Sequence, residues 1–524
     1  MAFTSFGFII FVSAAGLLYY LLPKRFQWTV LLLASYAFYA IANPKGLLYI
    51  GGTTIVTFLI ARRMQRIQDA GDQKTLGIAD KAEKKEARSR TKKRKKAVCA
   101  VGIAFCFGIL AFLKYTNFII AELTPLLARL SPGRQISMLD LFVPMGLSFY
   151  TFSVAGYLFD IYYGKYRAEE NIFHYALFIS YFPTLVQGPI SRENALRQEF
   201  FEKEHKFSLT ETEFAIQRIL WGFLKKLVIA DRASQVSKYI FENYESQAWF
   251  IVLFGLFMYS VELYADFSGG MDVALGVSEF FGIKLSENFR QPYFATSVAD
   301  FWRRWHITLG QWMKDYVFYP FSLSRGMQKL GKSISAKSKY LGRTVPMCIG
   351  NLLVFFLVGL WHGAEWHFIL YGMFHGGIIA FSILMERAYK TSADALHINR
   401  TSKAWKIWQI ARTFLIINLG CLLDEVRDLK QSFGMAKQLF DFSNFRLIEN
   451  FSTKSFDKFT IGISLFFFAC VFFVSLYKEV KKDSVRERIA SLPLVIRWGL
   501  YLALIFSIPA FQASDTIGFM YAKF

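Results

Sequence analysis

The chain has 524 residues, of which 54% are hydrophobic and 18% aromatic, and its mean hydropathy is +0.31. This composition excludes an ordinary soluble multidomain protein, because so apolar a chain needs lipid as its solvent. The net charge of +22 would suggest nucleic acid in a soluble protein. Membrane topology explains it better, and the most basic segment lacks the interleaved aromatic residues on which bases stack. We therefore expect membrane lipids and no nucleic acid among its partners.

Several uncharged runs are long enough to cross a bilayer, which takes about 20 mostly apolar residues. They cover residues 1–23, 26–44, 141–159, 171–191, 344–364, 366–385 and 459–477, with shorter runs at 46–61, 97–113 and 498–514. The first run lacks the basic start and cleavage site of a secretory signal, so it is interpreted as a retained span. We predict an all-α polytopic integral membrane protein with roughly ten to fourteen crossings, forming a single domain over residues 1–524.

Residues 62–96 contain 14 Lys or Arg against 5 acidic residues. Short loops this basic stay in the cytoplasm, and such a loop also suits anionic lipid headgroups. Counting spans from this predicted cytoplasmic loop, and from the basic segments near residues 325–343, 387–406 and 478–488, places both termini outside the cytoplasm. The same count places His362 toward the exterior end of its helix.

The middle of the chain is less regular. Residues 173–190 contain Pro183 and Gly188-Pro189, and residues 262–300 scatter Glu262, Asp266, Asp272 and Glu279 through apolar sequence. Broken or re-entrant helices occur at membrane depth only where protein or a water-filled cavity surrounds them. We therefore predict such helices around a central passage.

Residues 298–319 predict an amphipathic helix at the membrane interface. Its polar part would be Arg303, Arg304 and Lys314. Its membrane anchors would be aromatic: Trp302, Trp305, Trp312 and Tyr316.

Four of the seven histidines lie in two apolar, aromatic segments: His306, and His362 with His367 and His375. Ionisable groups at membrane depth are costly and often mark function. A buried histidine more commonly bonds a neighbouring backbone group, but the setting of His362 favours a functional role. Gly359 and Gly363 flank it and allow a backbone or substrate to approach closely.

Other kinds of site are disfavoured by spacing. His362 and His367 are five residues apart, about 140° around a helix, so they are poorly placed to share a metal, and no metal site is expected. A Gly-x-Ser-x-Gly elbow is absent, and Ser268-Gly269 lies in an apolar segment without strand signals. A neutral histidine is well suited to act as a general base on a hydroxyl, which suggests acyl transfer to an alcohol.

Several ordered motifs resemble the membrane-bound O-acyltransferase superfamily, and most closely its bacterial branch that includes the membrane subunit of alginate O-acetyltransferase. The similarity extends from about residue 1 to Gly518-Phe519-Met520-Tyr521. The motifs are Val143-Pro144-Met145-Gly146-Leu147-Ser148-Phe149-Tyr150-Thr151-Phe152, Phe182-Pro183 to Gln187-Gly188-Pro189-Ile190, Tyr264-Ala265-Asp266-Phe267-Ser268-Gly269, Phe301-Trp302-Arg303-Arg304-Trp305-His306 and Gly359-Leu360-Trp361-His362-Gly363-Ala364.

The resemblance implies that His362 matches the essential histidine of the family and His306 its second characteristic polar position. Asp266 falls on a matching acidic position, where it could orient an imidazole, coordinate a water molecule, or pair with Arg303 or Arg304. Supporting candidates from the same motifs are Trp305, Trp361 and Ser268. The segment 419–425 lacks the Phe-Arg element of the alginate type, which leaves the particular polysaccharide open.

The resemblance further implies an enzyme of the bacterial cell membrane that takes an acyl group, expected to be acetyl, from a cytoplasmic thioester. Acetyl-coenzyme A and an acyl carrier protein are both possible donors, and no tightly bound cofactor is expected. The acceptor would be an extracytoplasmic polysaccharide or a partner acetyltransferase. Peptidoglycan O-acetylation and D-alanyl transfer to teichoic acid stay open. A transporter or flippase of a lipid-linked sugar is the alternative from another class, although its expected inverted repeats are not visible.

Overall fold

The computed structural model describes residues 3–130, 136–443, 458–513 and 518–519. In these ranges the regular structure is helical, apart from one isolated antiparallel bridge between Phe289 and Trp305. The chain divides into two compact units. The first combines residues up to 215 with 274–286, and the second combines 216–273 with the residues from 287 onward.

The first unit begins with a series of long helices and continues with short ones. Its helices are α1 (Phe6–Leu21), α2 (Lys24–Ala42), α3 (Gly46–Leu76), α4 (Lys81–Leu130), α5 (Leu147–Tyr163), α6 (Ile172–Ser180), α7 (Phe182–Leu185) and α8 (Glu193–Arg197). Next in the chain, α9 (Leu209–Phe223) spans the boundary between the units.

The predicted break over residues 173–190 is confirmed. Helix α6 ends at Ser180, and the four-residue helix α7 carries Pro183 in its first turn, where the missing N–H of proline is tolerated. Helix α5 starts only after Gly146, which has a left-handed backbone conformation with φ of 73°. A Cβ at this position would lie 2.3 Å from the carbonyl oxygen of Leu185, so glycine lets the two segments approach.

The second unit contains the remaining helices, of which α11 also extends into the first unit. They are α10 (Asp231–Glu242), α11 (Trp249–Phe280), α12 (Val298–Arg304), α13 (Ile307–Met313), α14 (Tyr319–Ser322), α15 (Arg325–Ser335), α16 (Lys339–His362), α17 (Trp366–Leu384), α18 (Glu386–Ala395), α19 (Lys403–Glu425), α20 (Leu429–Gln438), α21 (Lys458–Lys481), α22 (Val485–Ala490) and α23 (Leu494–Phe511). A π-helical stretch, Leu224–Ala230, joins α9 to α10.

Eight helices of the described residues are long and apolar enough to cross a membrane, namely α3, α4, α11, α16, α17, α19, α21 and α23. The chain is therefore an all-α, multi-pass membrane protein, as the composition predicts. The larger sequence-based number of crossings also counted the runs at 1–23, 26–44, 141–159 and 171–191, whose helices are not among these eight. Over 141–159, for example, the helix begins only at Leu147. The orientation of the termini stays a prediction.

The predicted cytoplasmic segment 62–96 is almost entirely helical, because α3 continues to Leu76 and α4 begins at Lys81; Lys, Arg, Glu, Gln and Ala are good helix formers. Its cytoplasmic position stays a prediction. The expected interruption by the acidic residues from Glu262 to Glu279 is wrong, since all of them lie in the continuous helix α11.

The predicted interfacial helix over residues 298–319 is also wrong. Helix α12 ends at Arg304 and α13 begins at Ile307, because His306 between them has a left-handed backbone conformation that interrupts the helix. Trp305 and Trp312 are buried rather than placed as membrane anchors.

Candidate active site

His362 is the last residue of α16, where a tight hairpin leads into α17. A Cβ on Gly359 would lie 2.4 Å from the carbonyl oxygen of Phe368, and a Cβ on Gly372 would lie 2.2 Å from that of Phe355. These glycines let the two helix backbones approach closely, as small residues do between membrane helices. The hairpin therefore fixes the position of the His362 side chain, which is 3% exposed.

A carboxylate faces one nitrogen of the His362 imidazole. Nδ1 of His362 lies 3.9 Å from Oδ1 of Asp424, which is buried near the end of α19. The hydroxyl of Tyr259 on α11 donates a hydrogen bond of 2.9 Å to Oδ2 of Asp424. The His362–Asp424 separation is too long for a direct hydrogen bond. It is short enough for a strong electrostatic interaction at a buried site, so Asp424 favours a proton on Nδ1 of His362.

His306 is held by an unusual backbone arrangement between α12 and α13. Its φ and ψ angles are 46° and 53°, a left-handed conformation that is uncommon for residues other than glycine. The backbone N–H of Ile307 donates to the carbonyl of Asn288, and the Asn288 side-chain oxygen accepts 2.9 Å hydrogen bonds from both the N–H and the hydroxyl of Thr308. Strained backbone of this kind tends to cluster at functional sites, which supports His306 as a site residue.

The same Asn288 oxygen lies 3.4 Å from Nδ1 of His306. Because this oxygen can only accept, the contact favours the tautomer with the proton on Nδ1 of His306 and the lone pair on Nε2. Burial and, to a smaller extent, the nearby His362 lower the pKa of His306 to about 3. His306 is therefore neutral at physiological pH.

The ring of Trp361 lies close to both histidines. Its ring centre is 5.7 Å from that of His306 and 5.0 Å from that of His362. Phe267 of α11 packs edge-on against His306 from another direction, at 4.9 Å. Trp305 packs against the neighbouring aromatic residues Phe289 and Phe301 rather than contributing a polar group. The structure thus brings the predicted residues His306, Trp361 and His362 together in one buried aromatic site.

Asp266 and Ser268 belong to a buried charge cluster beside this site. Nζ of Lys226 lies 2.6 Å from Asp266 and 2.7 Å from Asp231. Nζ of Lys225 donates to the hydroxyl of Ser268 at 2.8 Å and pairs with a further α11 carboxylate, that of Asp272. These ion pairs explain how α11 carries acidic residues inside the protein without breaking.

The predicted pairing of Asp266 with Arg303 or Arg304 is wrong. Arg303 pairs with Asp300 at 3.2 Å, and Arg304 pairs with Glu479 at 2.9 Å. A role for Asp266 in orienting an imidazole or a water molecule stays a prediction.

Both ring nitrogens of His367 contact protein oxygen atoms. Its Nδ1 lies 2.9 Å from the carbonyl oxygen of Leu423, and its Nε2 lies 3.1 Å from a carboxylate oxygen of Glu365. The separation of about 140° expected between His362 and His367 applies only to one continuous helix, whereas α16 ends at His362. In the parts of the chain that the structure describes, no group of three or more His, Cys, Asp and Glu residues is placed to hold a metal ion.

Sequence reasoning missed Asp424, Tyr259 and Asn288. For Asp424 a signal existed, because it directly follows the uncharged run 413–423 and is therefore an ionisable residue at the end of an apolar segment. Tyr259 and Asn288 act through contacts with residues distant in the chain, which no local pattern indicates.

The fold and the site define a class of protein: a multi-pass membrane protein with two buried histidines in one aromatic site. The MBOAT, membrane-bound O-acyltransferase family matches residues 167–423. The probable alginate O-acetylase AlgI of Pseudomonas aeruginosa is 31% identical over 456 residues, which cover 86% of this chain and 76% of the relative. The chain belongs to the membrane-bound O-acyltransferase family, and it is an acyltransferase.

Two further relatives are named for other acceptors. The peptidoglycan O-acetyltransferase of Helicobacter pylori is 30% identical over 468 residues, which cover 83% of this chain and 77% of the relative. The teichoic acid D-alanyltransferase of Bacillus subtilis is 30% identical over 283 residues, which cover 52% of this chain and 66% of the relative. Similarity to the two O-acetylating relatives thus extends over more of the chain.

Proposed function

We propose that this enzyme transfers an acetyl group from a cytoplasmic thioester to a hydroxyl outside the cytoplasm, with His362 as the general base. The observation that carries the proposal is the buried imidazole of His362 facing the carboxylate of Asp424, with the ring of Trp361 close to both His362 and His306. A neutral imidazole backed by a carboxylate is the arrangement that removes a proton from an attacking hydroxyl in other acyl-transfer enzymes.

In the proposed reaction, the hydroxyl oxygen of the acceptor attacks the carbonyl carbon of the thioester while Nε2 of His362 takes the hydroxyl proton. The carbon–sulfur bond then breaks, and the proton passes to the departing thiolate, so the products are an oxygen ester and a free thiol. Asp424 stabilises the imidazolium that forms between these steps. Its carboxylate needs no proton of its own for this role.

His306 orients the donor in this proposal. The Asn288 contact favours a proton on Nδ1, so the neutral ring presents a lone pair at Nε2 and accepts a hydrogen bond there. The amide N–H groups of a phosphopantetheine arm, present in both acetyl-coenzyme A and an acyl carrier protein, are suitable donors. Polarisation of the thioester carbonyl by His306 is disfavoured, because that would require an N–H at Nε2.

For the acceptor we propose a hydroxyl of an envelope polysaccharide, reached directly or through the serine of a partner acetyltransferase. The extent of similarity to the probable alginate O-acetylase supports a polysaccharide. Peptidoglycan is the second candidate, because the Helicobacter pylori relative matches almost as much of the chain. D-alanyl transfer is less well supported, since its relatives match about half of the chain.

The proposed function can be tested with the full-length protein in sealed vesicles that carry acceptor polysaccharide on the extracytoplasmic face. Acetyl-coenzyme A, or an acetylated carrier protein, is supplied on the other face with a label in the acetyl group. We expect the label to appear in alkali-labile ester on the polysaccharide. Vesicles without the protein provide the background.

Supplying each donor separately identifies the thioester that is used. A flippase of a lipid-linked sugar predicts a different result: polysaccharide would cross the membrane in a protein-dependent manner, and the label would stay on the donor with either thioester. That outcome would contradict the enzymatic proposal.

Replacing Asp424 with Asn should slow acetyl transfer by up to about 10⁴-fold, the loss seen when the carboxylate beside the histidine of a catalytic triad becomes an amide. Because Asp424 acts through His362 and not on the substrate, we expect kcat to fall while KM for the donor stays near its wild-type value. Tyr259→Phe removes only the hydrogen bond to Asp424 and should cost less. If the Asp424→Asn variant lost kcat only in proportion to its loss of folded protein, Asp424 would have a purely structural role.

A further inference from the structure

A cavity of about 640 Å³ lies in the first unit, between α3, α4 and the segment that follows α5. Its lining is mainly polar or charged, although it adjoins two helices that cross the membrane. Helices α3 and α4 can approach each other here because a Cβ on Gly71 would lie 2.4 Å from the hydroxyl of Thr91. The proposed chemistry of the second unit makes no use of this cavity.

The charge balance of the cavity is positive. Arg88, Lys92, Lys95 and Arg167 line it, against the carboxylates of Asp69 and Asp72. Both carboxylates already accept hydrogen bonds from protein groups: Asp69 from Gln65 and Arg167, and Asp72 from Gln68. The acids are therefore partly neutralised, and the cavity attracts negative charge.

Three of the cations lie along one helix. Arg88, Lys92 and Lys95 are spaced by four and three residues, which places them on one face of α4. Lys95 is buried, and its ammonium group donates to the neutral acceptors Gln68 Oε1 at 2.9 Å and the carbonyl of Ile161 at 3.2 Å. Within the described ranges, Arg88 and Lys92 form no hydrogen bond or ion pair with protein groups. They are available to a ligand.

The position of the cavity along the helices indicates its ligand. Leu59 of α3 and Val101 of α4 are large, exposed apolar residues, each six positions from a lining residue, which is about 9 Å along a helix. Exposed apolar residues suited to acyl chains thus lie about 9 Å along the same two helices from a cationic cavity suited to a phosphate. Tyr162 and Tyr163 also line the cavity, and tyrosine is enriched at the level of lipid headgroups.

We propose that this cavity binds the headgroup of an anionic phospholipid. Arg88 and Lys92 contact the phosphate, and the buried Lys95 adds positive charge to the cavity wall. The acyl chains would lie along the exposed apolar faces of α3 and α4. Each cation near an anionic membrane surface contributes about 1 kcal/mol, so loss of both Arg88 and Lys92 corresponds to roughly thirtyfold weaker binding.

The test uses the full-length protein in detergent and measures thermal unfolding during titration with phosphatidylglycerol or phosphatidylcholine. We expect phosphatidylglycerol to raise the unfolding temperature more than phosphatidylcholine does. The double variant Arg88→Gln, Lys92→Gln should need roughly thirtyfold more phosphatidylglycerol for the same rise. A matched control, Lys93→Gln with Arg94→Gln, removes the same charge from exposed α4 positions that do not line the cavity, and it should respond like the wild type.

Two results would overturn the proposal. A control variant that loses as much sensitivity as the cavity variant would indicate a diffuse surface charge effect and not a site. Protection by soluble glycerol phosphate or pyrophosphate equal to that by phosphatidylglycerol, at the same concentration, would indicate a free phosphate compound as the ligand instead of a lipid.

Discussion

Replacing His362 with glutamine should abolish acyl transfer while the protein stays folded. General bases contribute about 10²- to 10⁴-fold to a rate, and the amide of glutamine cannot accept the hydroxyl proton near neutral pH. Glutamine is polar and similar in length, so the turn between α16 and α17 should persist. The measurement is label transfer per mole of purified protein, together with the unfolding temperature in detergent.

His367→Gln is the matched control for this variant. His367 lies in the same hairpin, but its ring nitrogens contact the carbonyl of Leu423 and the carboxylate of Glu365. We expect this variant to keep most of its transfer activity. Retained transfer by His362→Gln would eliminate His362 as the base. Loss of transfer in both variants, accompanied by lower unfolding temperatures, would show that the hairpin rather than the imidazole had been disrupted.

The part of the fold that sequence predicts best is the hairpin that carries His362. Uncharged runs over 344–364 and 366–385 predict α16 and α17 within a few residues, and the intervening glycine and charged residue indicate the turn. Hydrophobic length determines these helices locally, because each must satisfy all its backbone groups internally in lipid. Local sequence is sufficient for this reason.

The same reasoning failed for α11, because it treated acidic residues as interruptions. Asp266 and Asp272 are accommodated by Lys226 and Lys225, which precede them by about 40 residues in the chain. A buried carboxylate strongly destabilises the fold when it is unpaired, and it is tolerated when it is paired with a cation. Whether a partner exists depends on tertiary packing, which one sequence does not display.

The site itself was predicted in part. Apolar surroundings and family motifs indicate His306 and His362, and the structure places both close to Trp361. Asp424 is not among the predicted site residues, because segment 419–425 differs from the alginate type in lacking its Phe-Arg element. The left-handed conformation of His306 was also unforeseen, because it depends on pairing of the backbone with Asn288.

Replacing Lys226 with methionine should destabilise the second unit strongly. The ammonium group of Lys226 is shared by Asp266 and Asp231, and all three side chains are buried. Removing one partner of a buried ion pair typically costs about 3–5 kcal/mol. Transfer should fall as well, because Asp266 precedes Phe267, which packs against His306. The measurements are the unfolding temperature in detergent and the specific activity of the folded fraction.

Lys225→Met is the matched control, because it removes a buried lysine from the same π-helical stretch. Asp272 would still be paired with Arg218, whose Nε lies 3.1 Å away, so we expect a smaller loss of stability. Adding Asp266→Asn to Lys226→Met removes one of the two carboxylates and should restore part of the loss, since neighbouring substitutions in one ion-pair network are not additive. Equal destabilisation by Lys225→Met and Lys226→Met, without recovery in the double variant, would show that packing of the lysine stems rather than charge pairing stabilises α11.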